Sequence, residues 1–95
     1  LYYVLNKILK FVKFQRRYFI MKSVEISLNS IDKVKSFVNE IAKFDSDFDL
    51  VSGRYVIDAK SIMGIFSLDL SKPITLNIHA EDDAAILEAL KPYLV

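Results

Sequence analysis

At 95 residues the chain has room for one domain built on a single modest core. Its 53% apolar and 26% charged content is that of a globular protein and excludes a disordered one. There is no cysteine and a single histidine, which excludes disulfides, thiolate chemistry and a zinc site, and two glycines cannot build a glycine-rich phosphate loop.

The net charge of +1 conceals two parts of opposite sign. Residues 1–20 hold Lys7, Lys10, Lys13, Arg16 and Arg17 with no acid, whereas residues 21–95 hold all 12 acidic residues and sum to −4. The body of the chain would therefore repel phosphate backbones, so nucleic acid is not an expected partner. Within residues 1–20, Lys7, Lys10 and Lys13 recur among Tyr2, Tyr3, Val4, Leu5, Ile8, Leu9, Phe11, Val12 and Phe14. As a helix this would be basic and amphipathic, able to lie on an anionic membrane, but its lysines rule out a transmembrane span. The preferred expectation is that residues 1–20 are a translated leader. Their residue types have AT-rich codons, and Gln15-Arg16-Arg17 can be encoded by the purine run of a bacterial ribosome-binding site shortly before Met21. Residues 21–95 are then the domain, with membrane anchoring through residues 1–20 as the alternative.

From Met21 the periodicities are clear. Val24, Ile26 and Leu28 alternate with Ser23, Glu25 and Ser27, the pattern of a half-buried strand. Asn29 or Ser30 caps a helix whose buried face is read as Ile31, Val34, Phe37, Val38, Ile41 and Ala42, with Asp32 in its first turn. Two short runs, 48–51 and 54–57, form a hairpin around Ser52-Gly53, where Gly53 supplies positive φ. Asp49 and Arg54 read as solvated edge charges. Beyond Pro73, Ile74, Leu76 and Ile78 alternate with Thr75, Asn77 and His79 in the last strand. His79 falls on the polar phase, so it is expected to face solvent. No catalytic role is expected of it, because the sequence shows no partner to orient it. Glu81-Asp82-Asp83 are expected to open a final helix that buries Ala85, Ile86, Ala89 and Leu90 and is stopped by Pro92.

Between the hairpin and the last strand, Ser61 precedes Ile62, Met63, Ile65, Phe66 and Leu68, a spacing that fits two turns of helix. Ser61 is placed to cap it by accepting a hydrogen bond from a free N–H near Gly64. Taken alone, that is a cap and nothing more.

The order β-α-β-β-α-β-α predicts an α+β two-layer sandwich with helices on one face of an antiparallel sheet, although the pattern by itself does not separate this from a ferredoxin-like split βαβ. Lys60-Ser61-Ile62-Met63-Gly64, followed by an apolar pair and Ser67-Leu68, resembles the segment around the regulatory serine of HPr, the phosphocarrier of the bacterial sugar phosphotransferase system. HPr has this element order and an open-faced sandwich fold, so the resemblance extends from Met21 to about Leu90. It implies a bacterial cytoplasmic protein linked to sugar-transport regulation, with Ser61 as the regulatory phosphorylation site. It also implies partner binding through Ile62, Met63 and Phe66, whose alternative role is core packing. Protein partners of the phosphotransferase or carbon-regulation type follow, HPr kinase among them, with no cofactor, no metal and a monomeric state.

One departure bears on mechanism. In HPr the phosphoacceptor histidine opens the first helix and is followed by Ala, Arg and Pro, where this chain has Asp32, Lys33, Val34 and Lys35. A carboxylate in place of the imidazole would need charge neutralisation that Val34 cannot give. The expectation is therefore a non-catalytic binding or regulatory module and not an enzyme, the alternative being a phosphocarrier that uses Asp32.

Overall fold

The computed structural model describes residues 22–95. The expectations placed on residues 1–20, and Met21 as the start, lie outside the described residues. Four strands, β1 (Lys22–Ile26), β2 (Asp47–Ser52), β3 (Tyr55–Asp58) and β4 (Ile74–His79), form one sheet in the order β1-β4-β2-β3. All three pairings are antiparallel. Helices α1 (Ile31–Ile41), α2 (Ile62–Phe66) and α3 (Ala84–Leu90) complete the order expected from the sequence, and a 3-10 turn, Lys91–Tyr93, follows α3.

The core lies between one face of the sheet and the helices. On the sheet side it takes Ile26, Phe48, Leu50, Ile74, Leu76 and Ile78, which alternate with polar residues, and on the helix side Val34, Phe37, Ile41, Ile65, Ile86 and Leu90. No polar or charged residue is buried among the described residues. The alternation of β4, buried at Ile74, Leu76 and Ile78 and half-buried at Thr75, Asn77 and His79, assigns the second set to the open face.

Several expectations need correction. The hairpin turn is one residue later than expected, because Ser52 pairs with Tyr55 and leaves Gly53 and Arg54 as the central residues. Gly53 has φ +60, and among the described residues no non-glycine residue has positive φ, so the turn departs from type I′, which needs positive φ at both central positions. Ile31, expected in the buried face of α1, is 61% exposed, because as the first helical residue it extends past the layer that α1 covers. Ala42 is the C-cap of α1 and is exposed. Of the acidic run 81–83, Glu81 and Asp82 precede α3, and Asp83 is its N-cap, its carbonyl accepting the Leu87 N–H at 2.8 Å. Asp82 Oδ1 accepts the Ala84 N–H at 3.2 Å, a local bond that competes with helix formation. Ala85 is exposed, while Ile86 and Leu90 are buried as expected.

The C-terminal residues hold more of the fold than their sequence announces. Tyr93 is buried, its ring meets Phe37 edge-on at 5.6 Å, and its hydroxyl bonds to Ser36 Oγ. Its carbonyl accepts the Ser27 N–H at 2.9 Å, and the Val95 N–H reaches Glu25 O at 3.1 Å.

Candidate functional site

The loop from β3 into α2 is fixed before the helix starts. Asp58 accepts twice, its Oδ1 from the Lys60 N–H at 2.9 Å and its carbonyl from the Ser61 N–H at 3.0 Å. Ser61 is extended (φ −93, ψ 104), and its Oγ accepts the Gly64 N–H at 3.2 Å, the cap expected from the sequence. A Cβ on Gly64 would lie 3.2 Å from both Ser61 Oγ and Ile57 Cδ1, so glycine is what lets the cap approach. At the other end Ser67 is the C-cap, and its Oγ donates to Gly64 O at 2.5 Å. The two serines thus meet opposite ends of the helix, free N–H groups at Ser61 and free carbonyls at Ser67.

Lys60 faces away from this site. Its Nζ donates to Phe44 O at 2.7 Å and lies 5.6 Å above the Phe48 ring, tying the segment after α1 to the start of α2. The sequence offered this lysine only as part of the motif; a contact between residues 16 apart has no local signature.

Three apolar residues of α2 were singled out, and they divide. Met63 is 78% exposed and Phe66 42%, whereas Ile62 is half-buried and packs on the core. Exposed Ile31, at the start of α1, joins the surface: a groove of about 330 Å³ runs between the two helices, lined by Asn29, Ser30, Ile31, Phe66, Leu70 and Ser71. Sequence periodicity missed Ile31 because it assigned every apolar position of α1 to the core. Asp32, next along, is exposed in the first turn of α1, behind the Ser30 cap whose Oγ accepts the Lys33 N–H at 3.1 Å. Near this groove, the Ser71 hydroxyl and N–H both donate to Asp69 Oδ1, at 2.6 and 3.1 Å. With Lys72 nearby, they hold the Asp69 carboxyl below its ordinary pKa, the Ser71 hydroxyl contributing most.

Two readings on the open face are corrected. His79 has an orienting partner after all, since its Nε2 lies 2.8 Å from Asp49 Oδ2. Asp49 is therefore a paired residue of the sheet face and not a free edge charge. The sequence separates the two by 30 positions, and only the pairing of β2 with β4 brings them together. Among the described residues, no group of three or more His, Asp or Glu is arranged to hold a metal, and no helix is long and apolar enough to cross a membrane.

The sequence model of the family described as "PTS HPr component phosphorylation site" matches residues 32–94. The chain belongs to the HPr family. The HPr-like protein Crh of Bacillus subtilis (strain 168) is 40% identical over 60 residues, which make up 61% of this chain and 71% of Crh. Among solved structures, the phosphocarrier protein HPr of Bacillus anthracis str. Ames superposes with a TM-score of 0.60 at 31% identity, covering 80% of this chain and 96% of that one. HPr-C-His from Thermoanaerobacter tengcongensis gives 0.60 at 28% identity, covering 74% and 84%. The four-stranded antiparallel sheet with helices on one face is thus the HPr fold, and membership places the chain among the phosphocarrier-type proteins of the phosphotransferase system. The family match begins at Asp32, in the first turn of α1.

Proposed function

We propose that this HPr-family chain is a non-catalytic binding or regulatory module of the bacterial cytoplasm, read by protein partners of the phosphotransferase or carbon-regulation type. The observation that carries this reading is one surface on which two features meet. Met63 and Phe66 stand exposed on a helix capped by Ser61, and across the groove the start of α1 presents Asp32 and no imidazole. Neutral imidazole is a nucleophile that exchanges phosphoryl groups reversibly; a solvent-exposed carboxylate needs charge neutralisation to do so, and Val34, a buried apolar residue, supplies none. Partner binding survives that loss, because exposed Met and Phe suit association and need no chemistry.

In this reading Ser61 is the regulatory site and HPr kinase the enzyme that acts on it. A phosphate adds about −1.5 to −2 charge, which the N–H groups at the start of α2 tolerate and the free carbonyls beside Ser67 oppose. Incubation with HPr kinase and ATP, followed by peptide mapping, is expected to place phosphate on Ser61. No phosphate there, or phosphate confined to Ser67, reduces the motif to a cap and packing element.

A second experiment separates the module from a phosphocarrier. Incubated with phosphoenolpyruvate and the first enzyme of the phosphotransferase system, the chain is expected to take no label at Asp32. Label that disappears in Asp32→Asn would establish the acyl-phosphate alternative instead.

A further inference from the structure

The sheet ends at β3, whose far side pairs with no other strand among the described residues. Hydrogen bonding alternates along the β2–β3 pair, and the Ala59 N–H bonds to Phe48 O at 2.9 Å. Counting back from that bond, Ile57 and Tyr55 turn their backbone groups toward β2, while Val56 and Asp58 turn theirs outward. The Asp58 carbonyl is taken by the Ser61 N–H, which leaves the Val56 N–H and C=O and the Asp58 N–H along a bare edge. Apolar side chains stand there too. Tyr55 is 69% exposed and Val56 64%, the most exposed large apolar residues in the sheet.

Proteins ordinarily blunt a bare edge with charge, but the charges here favour one arrangement. Arg54 and Asp58 stand two positions either side of Val56 and have opposite signs. If a second β3 pairs antiparallel about Val56, the two-fold axis sets Arg54 of each copy opposite Asp58 of the other. Like signs at those positions would repel. The Arg54 side chain has no partner among the described residues. Asp58 stands directly opposite Asp49 in the β2–β3 register, and its Oδ1 accepts the Lys60 N–H with no cationic side chain beside it. An arginine from outside therefore offsets a like-charge contact that the single chain leaves in place.

We propose that the edge of β3 is an interface for a second copy of this chain, the two β3 strands pairing antiparallel about Val56 and joining two four-stranded sheets into one. The two Val56 residues exchange N–H to C=O hydrogen bonds. Tyr55 of each copy packs on Ile57 of the other, and the two Arg54–Asp58 contacts fix the register. With a strand of four residues the contact is small, so association is weak and is read at high chain concentration. The proposal departs from the monomeric state that the resemblance implies, and it does not rest on the Ser61 reading.

Sedimentation equilibrium on the full chain tests it, with two variants and their mixture. The wild type is expected to pass from monomer toward dimer between about 10 μM and about 1 mM. Arg54→Asp sets acid against acid at both contacts and weakens association about tenfold or more; Asp58→Arg sets base against base with the same result. Mixed in equal amounts, the two variants meet acid to base at both contacts, and dimerisation returns. Circular dichroism confirms folding, and Arg54→Asp, in an exposed turn, decides alone if Asp58→Arg does not fold. Amide NMR locates the contact, with the Val56 and Asp58 N–H signals moving as the wild type is concentrated. A wild type that stays monomeric at about 1 mM overturns the proposal. So does association that Arg54→Asp leaves unchanged, which runs through another surface, or a mixture of folded variants that associates no better than its components.

Discussion

Two serines and one aspartate show how far single hydrogen bonds set this surface. Ser61 Oγ satisfies one N–H of a helix only five residues long, so the cap is a large share of what holds α2 in place. Ser61→Ala is expected to lower stability by about 1 kcal/mol, measured by urea denaturation. Asp69 gives a pH effect of known sign. Its folded-state pKa is depressed by Ser71, so the unfolded chain takes up the proton at higher pH than the folded chain does. The stabilisation is complete above the unfolded carboxyl pKa of about 3.9 and is lost as pH falls through the lower folded value. In Ser71→Ala the Asp69 titration, followed by carboxyl NMR, is expected to move upward toward the ordinary value. An unchanged midpoint would show that the Ser71 hydroxyl does not set the shift, leaving it to the Ser71 N–H and Lys72.

At the scale of elements, what the sequence made legible was whatever repeats locally. The strand alternation of residues 74–79, the cap and motif at residues 60–68, and Gly53 in the hairpin all follow from neighbours within a turn or two. Contacts between distant residues were invisible. His79 with Asp49, Lys60 with Phe44 and Tyr93 with Ser36 are side-chain contacts across the fold, and no pattern in the chain encodes them. Tyr93 is the instructive case, because residues beyond Pro92 read as an ending and instead pack on α1 and bond to the segment after β1. Tyr93→Phe removes one hydroxyl bond and is expected to cost about 1 kcal/mol. Tyr93→Ala also empties the site against Phe37 and is expected to cost roughly 3–5 kcal/mol, enough to shift a thermal melt by well over ten degrees. A small effect of the alanine variant would mean that the C-terminal residues are an appendage to a core complete without them.

For the whole molecule, the open-faced sandwich separates the buried core from two exposed surfaces. The sheet and helices share one sealed apolar layer, and the residues left outside it are set apart on two surfaces: Met63, Phe66 and Ile31 on the helix side, and the polar row with His79 and Asp49 on the bare side of the sheet. Neighbours in sequence therefore fall on opposite sides of the division. Ile65 is fully buried while Met63, two residues away in α2, is mostly exposed. Ile65→Ala is expected to destabilise by about 2–5 kcal/mol, the usual cost of a cavity beneath a short helix. Met63→Ala should stay within about 0.5 kcal/mol of the parent, because a side chain in solvent has no packing to lose. If the helix side is the binding surface, the order reverses for partner affinity. Met63→Ala and Phe66→Ala weaken binding, while any loss in Ile65→Ala tracks the fraction unfolded and is recovered on cooling toward the temperature of maximum stability. Titration calorimetry on the three variants, paired with their unfolding curves, separates the two effects. Loss of affinity confined to Ile65→Ala would place recognition somewhere other than the exposed residues of α2.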